Sequence, residues 1–384
     1  MTDTTSTGRP SVVVLGGGYG GVGVAKTLDD VADVTLVDPT EGFVHNVAAL
    51  RSLVQPDWVE RMYLPYDRLL THGRFVRDRA VRVDGRRVEL ESGGVLDPDY
   101  LVLATGSSYP FPAKNDEPGL AAAKARHRAA HEELARAGRV LIVGAGPAGL
   151  ELAGEIKAFH PDKHVVITDV ADDVLTGPFV QELRDELRRQ LVELGVELRL
   201  GVKLRELPGA PPATREAIRV TTTEGDEIAA DIWFRTFGVK LHTEYLDGGS
   251  LAGRRDERGY VRVDPRMRVE GETRVFAVGD ITNADRDMAA AAGRQAEVVA
   301  GNIRALVTGE GEPLEYAPIG SLIAVPLGPE GGSGFFGDGG IATPEMVAEV
   351  KGRDMMTGHY DALFGPSPDA AQEPDGARQA GEAR

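Results

Sequence analysis

The chain has 384 residues, 42 % hydrophobic and 27 % charged, which is too much for one ordinary core and suits two packed domains plus an appendage. A net charge of −17 excludes the basic face that nucleic acid requires and disfavours adsorption to an anionic membrane. The complete absence of cysteine excludes disulfides, thiolate metal sites and any redox step through a cysteine pair.

The first segment, MTDTTSTGRP, is polar, lacks the apolar core of a signal peptide and has Thr2 where myristoylation needs glycine. Residues 1–10 are expected to be disordered. No apolar run approaches the ~20 residues of a membrane span, so a cytoplasmic protein without a stable membrane anchor is expected.

The stretch VVVLGGGYGGVGVAKTL, Val12 to Leu28, reads as a buried strand, a glycine burst and the start of a helix. It contains Gly16-x-Gly18-x-x-Gly21, with Tyr19 and Gly20 inside the pattern. The next apolar run, ADVTLVDP, ends in Asp38, 22 residues after Gly16. DYLVLATG (Asp99 to Gly106) reads as a strand ending in Ala104, Thr105 and Gly106. The Pro-rich stretch from Tyr109 to Gly119 is a good domain crossing. A helix follows, with Gly138 at the place of a C-terminal cap.

The glycine pattern then recurs. RVLIVGAGPAGLELAGEI carries Gly144-x-Gly146-x-x-Gly149, enclosing Pro147 and Ala148, 128 residues after the first copy. Asp169 closes the strand HVVITDV, 25 residues after Gly144. A helix is expected from about Phe179 to Leu194, stopped by Gly195. VFAVGDIT (Val275 to Thr282) is a further buried strand, ending in Gly279 and Asp280. The following helix is rich in small residues, which would let a bulky group approach its backbone. LGPEGGSGFFGDGG (Leu327 to Gly340) reads as turns, and from Pro366 onward apolar groups are too few to offset ordering entropy, so a disordered tail is expected.

Two glycine loops in this context imply two dinucleotides. A helix N-terminus stabilises a pyrophosphate through free N–H groups and its dipole. The first glycine makes the turn, the second permits close contact, and the third lets helix and strand pack. A carboxylate about 20 residues on binds ribose hydroxyls, the role expected of Asp38 and Asp169. A carboxylate at the second loop accepts from a free 2′-hydroxyl and repels a 2′-phosphate, so NADH is expected over NADPH.

The fingerprints GGGYGG, ATG, GAGPAG and AVGD, in that order, resemble the FAD- and NAD(P)-dependent pyridine-nucleotide oxidoreductases over roughly Val12 to Val307. FVHNVAALR (Phe43 to Arg51) and VKGRDMM (Val350 to Met356) resemble the ferroptosis-suppressor branch of the apoptosis-inducing-factor-like flavoproteins, with type II NADH dehydrogenases as more distant relatives. The resemblance implies an α/β fold with two Rossmann-like dinucleotide-binding domains. An FAD domain (11–111 and 246–318) is interrupted by an NAD(P)H domain (112–245). A small C-terminal α+β cap (319–365) and the disordered tail (366–384) follow.

It also implies roles. Loop one would hold the FAD pyrophosphate, with Arg51 adding positive charge near the phosphates, Ala80 offering backbone to adenine and Asp280 bonding the ribityl chain. Loop two and Gly238 would hold NADH, with NADPH possible. Glu151 would sit near the nicotinamide. His45 could donate a proton to flavin or quinone, and Lys351 could stabilise negative charge there. The implied function is an FAD-dependent NAD(P)H oxidoreductase that passes two electrons to a small acceptor, a quinone by class. The alternatives are a reductase of a ferredoxin-like electron carrier and a slow-turnover NADH/flavin redox sensor. The segment FRTFGVKLHT departs from the family's Thr-Gly-x-Lys pattern, with Phe237 intervening. The region after Ile319 is shorter than the interface domain of the disulfide reductases, so dimerisation does not carry over.

Overall fold

The computed structural model describes residues 8–337 and 339–365. Most of the segment expected to be disordered at the N-terminus, and all of 366–384, lie outside them. Gly8 to Pro10 are described, and the Pro10 carbonyl accepts the Asp33 N–H at 3.0 Å.

Two parallel sheets organise the chain. The first contains β1 (Ser11–Leu15), β2 (Asp33–Asp38), β3 (Arg74–Arg77), β4 (Tyr100–Leu103) and, much later, β9 (Val275–Ala277), in the order β9-β4-β1-β2-β3. The second contains β5 (Arg139–Val143), β6 (His164–Thr168), β7 (Val196–Arg199) and β8 (Ile232–Arg235), in the order β7-β6-β5-β8. The central strands are continuous apolar runs because both faces are covered. Val12 and Val14 of β1 face one core cluster, while Val13 and Leu15 face another. β9 returns to the first sheet after the whole second sheet has formed, which makes the first unit discontinuous in sequence.

Helices follow the sheets as the glycine patterns require: α1 (Tyr19–Leu28) after β1 and, after α2 (Leu120–Arg136), α3 (Pro147–Phe159) behind β5. α2 ends before Gly138. Ala137 is already extended, and Asp231 takes the Gly138 and Arg139 N–H groups, so no left-handed glycine cap is formed there. α4 (Gln181–Glu193) does end as expected, with Gly195 at φ +75°.

α5 (Ala289–Thr308) meets α1 through small residues: a Cβ on Gly23 would lie 3.1 Å from the Ala296 methyl. The glycine-dense segment 327–340 is not all turn. Gly332–Phe335 forms β11, the middle strand between β10 (Ile323–Pro326) and β12 (Ile341–Ala342). Glycine is needed there because backbones pass closely. A Cβ on Gly334 would lie 2.6 Å from the Ile323 carbonyl oxygen, and the buried Gln190 side chain brackets Gly332 through both its N–H and its carbonyl.

This cap sheet rests on α3. Gly154, in the middle of that helix, lies against the Leu327 backbone, where a Cβ would overlap. Alanine is intrinsically the better helix former by about 1 kcal/mol, yet overpacking costs about 1–3 kcal/mol. Gly154→Ala is therefore expected to lower the melting temperature; a thermal melt showing a rise would contradict this packing.

Candidate active site

Each glycine loop is built the same way from its backbone upward. Gly16 sits at φ +103° and donates its N–H to the Val37 carbonyl at 2.8 Å; Gly144 sits at φ +120° and donates to Thr168 at 2.8 Å. A side chain on Gly21 would overlap the Gly16 carbonyl, and one on Gly149 would overlap that of Gly144. Helix and strand end therefore meet through bare backbone. At Gly18 and Gly146, by contrast, a Cβ would meet nothing within 4 Å. Those two positions are the open floors of two cradles, each at the N-terminus of a helix.

The two strand-ending carboxylates also match. Asp38 accepts the Gly17 N–H at 2.7 Å, and Asp169 accepts the Ala145 N–H at 2.6 Å, in each case the residue after the first glycine. Their other oxygens take Thr40 N–H at 2.8 Å and Ala171 N–H at 2.9 Å. Burial raises the Asp38 pKa, opposed by the Thr40 hydroxyl and the Gly17 N–H. A carboxylate has about four lone-pair sites, so each can brace its loop and still accept from a ribose hydroxyl.

Further residues close the first cradle. A Cβ on Gly20 would lie 2.8 Å from Val278 of the AVGD segment, and the Ala104 carbonyl lies against Gly16. Gly279 sits at φ +82° and donates to the Gln295 side chain of α5 at 2.7 Å. Asp280 accepts from Ser107 Oγ at 2.6 Å and from Lys114 Nζ at 2.8 Å. Thr105 Oγ1 donates to the His242 carbonyl at 2.6 Å, and His242 N–H returns to Gly106 at 3.0 Å, tying the end of β4 to the second unit. Ala80 opens a short antiparallel strand, Ala80–Asp84. In the second cradle, Gly238 sits at φ +98° beside the Arg235 guanidinium.

The site gains its charged pair from far apart in sequence. Lys351 Nζ lies 2.7 Å from Glu151 Oε1, with side chains only 17 % and 12 % exposed. Glu151 is in the second turn of α3, behind the second cradle; Lys351 comes from the cap, in a π-helical turn over Ala348–Gly352.

The sequence profile described as pyridine nucleotide-disulphide oxidoreductase matches residues 10–296. The chain belongs to that family. It is an oxidoreductase dependent on FAD and NAD(P)H, as the family is. It is 30 % identical to ferroptosis suppressor protein 1 of Homo sapiens over 92 % of this chain and 95 % of that one. It is equally 30 % identical to apoptosis-inducing factor homolog B of Dictyostelium discoideum, over 84 % and 89 %. Among solved structures, the sulfide:quinone oxidoreductase of Aquifex aeolicus superposes with a TM-score of 0.71 at 17 % identity, covering 93 % of this chain and 91 % of that one, a likeness of fold. Among the described residues no helix is long and apolar enough to cross a membrane.

Within this family member, two residues with expected roles have their polar groups engaged inside the protein. His45 was expected to donate a proton, but both its ring nitrogens are committed inside the protein. Nε2 lies 2.7 Å from the Met355 carbonyl, which can only accept, so Nε2 carries the hydrogen. Nδ1 then accepts from the Tyr19 hydroxyl at 3.2 Å, whose oxygen takes the Val47 N–H at 3.0 Å. Burial pushes the imidazole pKa down to about 4. His45 is thus a neutral strut between the first cradle and the cap. Arg51 was expected to add free positive charge for the cofactor phosphates. It is 1 % exposed, and its charge is met by Glu155 of α3, with Nη2 2.8 Å from Oε1.

Some site residues carried little signal. Lys114 lies in the Pro-rich crossing, where a lone lysine reads as solvated, and only the fold brings it to Asp280. Thr236 backs the first glycine of the second cradle, donating toward the Val143 and Gly144 carbonyls at 3.0 and 2.9 Å. It stands in the segment that departs from the family pattern. Asn46, next to His45, has a buried Oδ1 with no partner among the described residues.

His45 and His127 are both buried, and burial holds both near pKa 4. In the unfolded chain a histidine titrates near about 6.5. Between those values the unfolded state binds more protons, so their contribution is complete above about pH 6.5 and is lost as pH falls toward 4. The melting temperature should therefore drop between pH 7 and 5, and less steeply in His45→Gln/His127→Gln. Equal slopes would show that these imidazoles are not held neutral.

Proposed function

We propose that this protein takes a hydride from NADH through FAD and delivers two electrons to a small acceptor of the quinone class. The observation that carries the reading is the Glu151–Lys351 pair, set where the helix of one open cradle meets the cap. The cradles fit their groups: bare floors at Gly18 and Gly146 admit phosphate to the helix N-termini, and the unpartnered Asn46 Oδ1 offers an acceptor beside the first cradle's helix.

In this reading Gly16, Gly18, Tyr19, Gly20 and Gly21 hold the FAD pyrophosphate and Asp38 its ribose. Ala80, Ala104, Thr105, Gly106, Gly279 and Asp280 line the rest of that cofactor. Gly144, Gly146, Pro147, Ala148, Gly149, Asp169 and Gly238 hold NADH. FAD, when bound, supplies the capacity to accept a hydride and release electrons singly or in pairs. The protein supplies placement and charge. Lys114 neutralises Asp280, and the N-terminus of α5 favours negative charge nearby. Glu151 holds the Lys351 ammonium in place, and that ammonium stabilises a developing oxyanion and supplies a proton to it. Without any cysteine no thiol relay leads electrons away, so the acceptor meets the site directly, and a quinone needs only access and a nearby proton donor. At the second cradle the Asp169 carboxylate repels a 2′-phosphate, favouring NADH.

The purified protein should be yellow and bleach anaerobically with NADH. Glu151→Gln and Lys351→Ala should stay yellow but reduce quinones about tenfold more slowly or worse in stopped-flow assays. Wild-type rates in both would overturn the role given to the pair. Asp169→Ala should narrow the preference for NADH over NADPH about tenfold; an unchanged kcat/KM ratio for the two would show that another group reads the 2′ position.

A further inference from the structure

Glu151 and Glu155 stand one turn apart on the same face of α3. Glu151 accepts from Lys351 Nζ at 2.7 Å. Glu155 accepts from Arg51, through Nε and through Nη2. The same Nη2 of Arg51 continues to the Gly352 carbonyl at 2.7 Å. One helix face therefore grips two consecutive residues of the cap, Lys351 directly and Gly352 through a guanidinium that arrives from Ala49–Ser52 of the first unit. That guanidinium is shut in between the Trp58 and Phe159 rings, at 5.1 and 5.6 Å from their centroids. Gly352 is closely covered, since a Cβ there would lie 2.7 Å from the Pro329 carbonyl oxygen.

The rest of this strap is held against its own preference. Met355 and Met356 sit at φ +51° and +62°, a region side chains avoid unless their surroundings impose it. Met355 N–H donates to the Lys351 carbonyl at 2.8 Å, and the Met355 carbonyl accepts from His45 Nε2.

We infer that Arg51 and Glu155 are positioning residues that set Lys351 against Glu151 by fixing the carbonyl of the residue after it. Stability alone does not account for them, because buried ion pairs replaced by well-packed apolar residues often leave stability unchanged or raised. A lysine ammonium rides on a long flexible stem, so where it can reach is set first by where its own backbone is held, and pinning the adjacent carbonyl fixes that starting point. The pairs also share a field: the Glu155 pKa is raised by burial, lowered by Arg51, raised by Glu151 and lowered by Lys351. The inference rests on reading Glu151–Lys351 as the working pair of the site.

The test measures where Lys351 is, separately from what it does. Flavin-loaded protein is treated with an amine-acylating reagent, and the labelling rate of each lysine is followed by mass spectrometry. Lys157, buried in α3, and the exposed Lys203 serve as internal references. In Arg51→Met/Glu155→Leu, Lys351 should label about threefold faster or more, with Lys157 and Lys203 unchanged. In the same variant kcat should fall about ten- to hundredfold with little change in the KM for NADH. Glu155→Gln, which keeps an oxygen for the guanidinium, should fall between. Unchanged Lys351 labelling, or a parallel rise at Lys157, overturns the inference. If the double variant fails to fold, Glu155→Gln decides by the same labelling criterion. Faster labelling with unchanged kcat would uphold the positioning role and overturn the part given to Lys351 in turnover.

Discussion

A helix can offer its N-terminus to a phosphate only if its first turn lies flat on the end of the preceding strand, backbone against backbone. That contact leaves no room for a Cβ, and this chain makes it twice. Gly21 lies on the Gly16 carbonyl and Gly149 on that of Gly144, while Gly18 and Gly146 stay open. Everything else is arranged around these contacts. Asp38 and Asp169 reach back to the loop N–H groups in the same register, β4 and β8 press Ala104 and Thr236 against the first glycines, and α5 packs on α1 where the Ala296 methyl faces Gly23.

The helix behind the second cradle has duties at both ends. Its N-terminus faces the open floor at Gly146, and its flank carries the weight of the cap. Gly154 lets the Leu327 backbone approach, and the carboxylates of Glu151 and Glu155 bind the strap around Lys351 and Gly352. A cap lysine thereby becomes part of a site whose other members come from the two nucleotide units. The family's name refers to disulphide chemistry, which this chain cannot perform with residues of its own because it has no cysteine. Among its own charged groups, the Glu151–Lys351 ion pair stands at the junction of α3 and the cap.

The buried polar groups divide by what surrounds them. His45 and Arg51 lie in a segment whose resemblance suggested contact with cofactor, yet the fold turns both inward. The imidazole becomes a neutral strut because Tyr19 and the Met355 carbonyl occupy its two nitrogens. The guanidinium is enclosed because Glu155, more than a hundred residues away in sequence, meets its charge. Lys114 moved the opposite way, from an unremarkable crossing segment to the Asp280 carboxylate.

Two features were written in the residues themselves, the glycine cradles and the α/β class. Those features are local: a turn that excludes Cβ must be written in glycine, a doubly covered strand must be apolar throughout, and the carboxylate follows at a spacing set by one strand–helix–strand unit. Glu151 and Lys351 were both singled out through the family resemblance, and neither residue carried any sign of the other. Pairing, by contrast, arose only on folding. Which carboxylate meets Arg51, which carbonyls hold His45 and Gly352, and which face of α5 meets α1 depend on contacts between segments up to about 300 residues apart. A charged or aromatic side chain looks the same in sequence whether its partner is water, a cofactor or another buried residue, because burial and desolvation arise only when distant segments close around it.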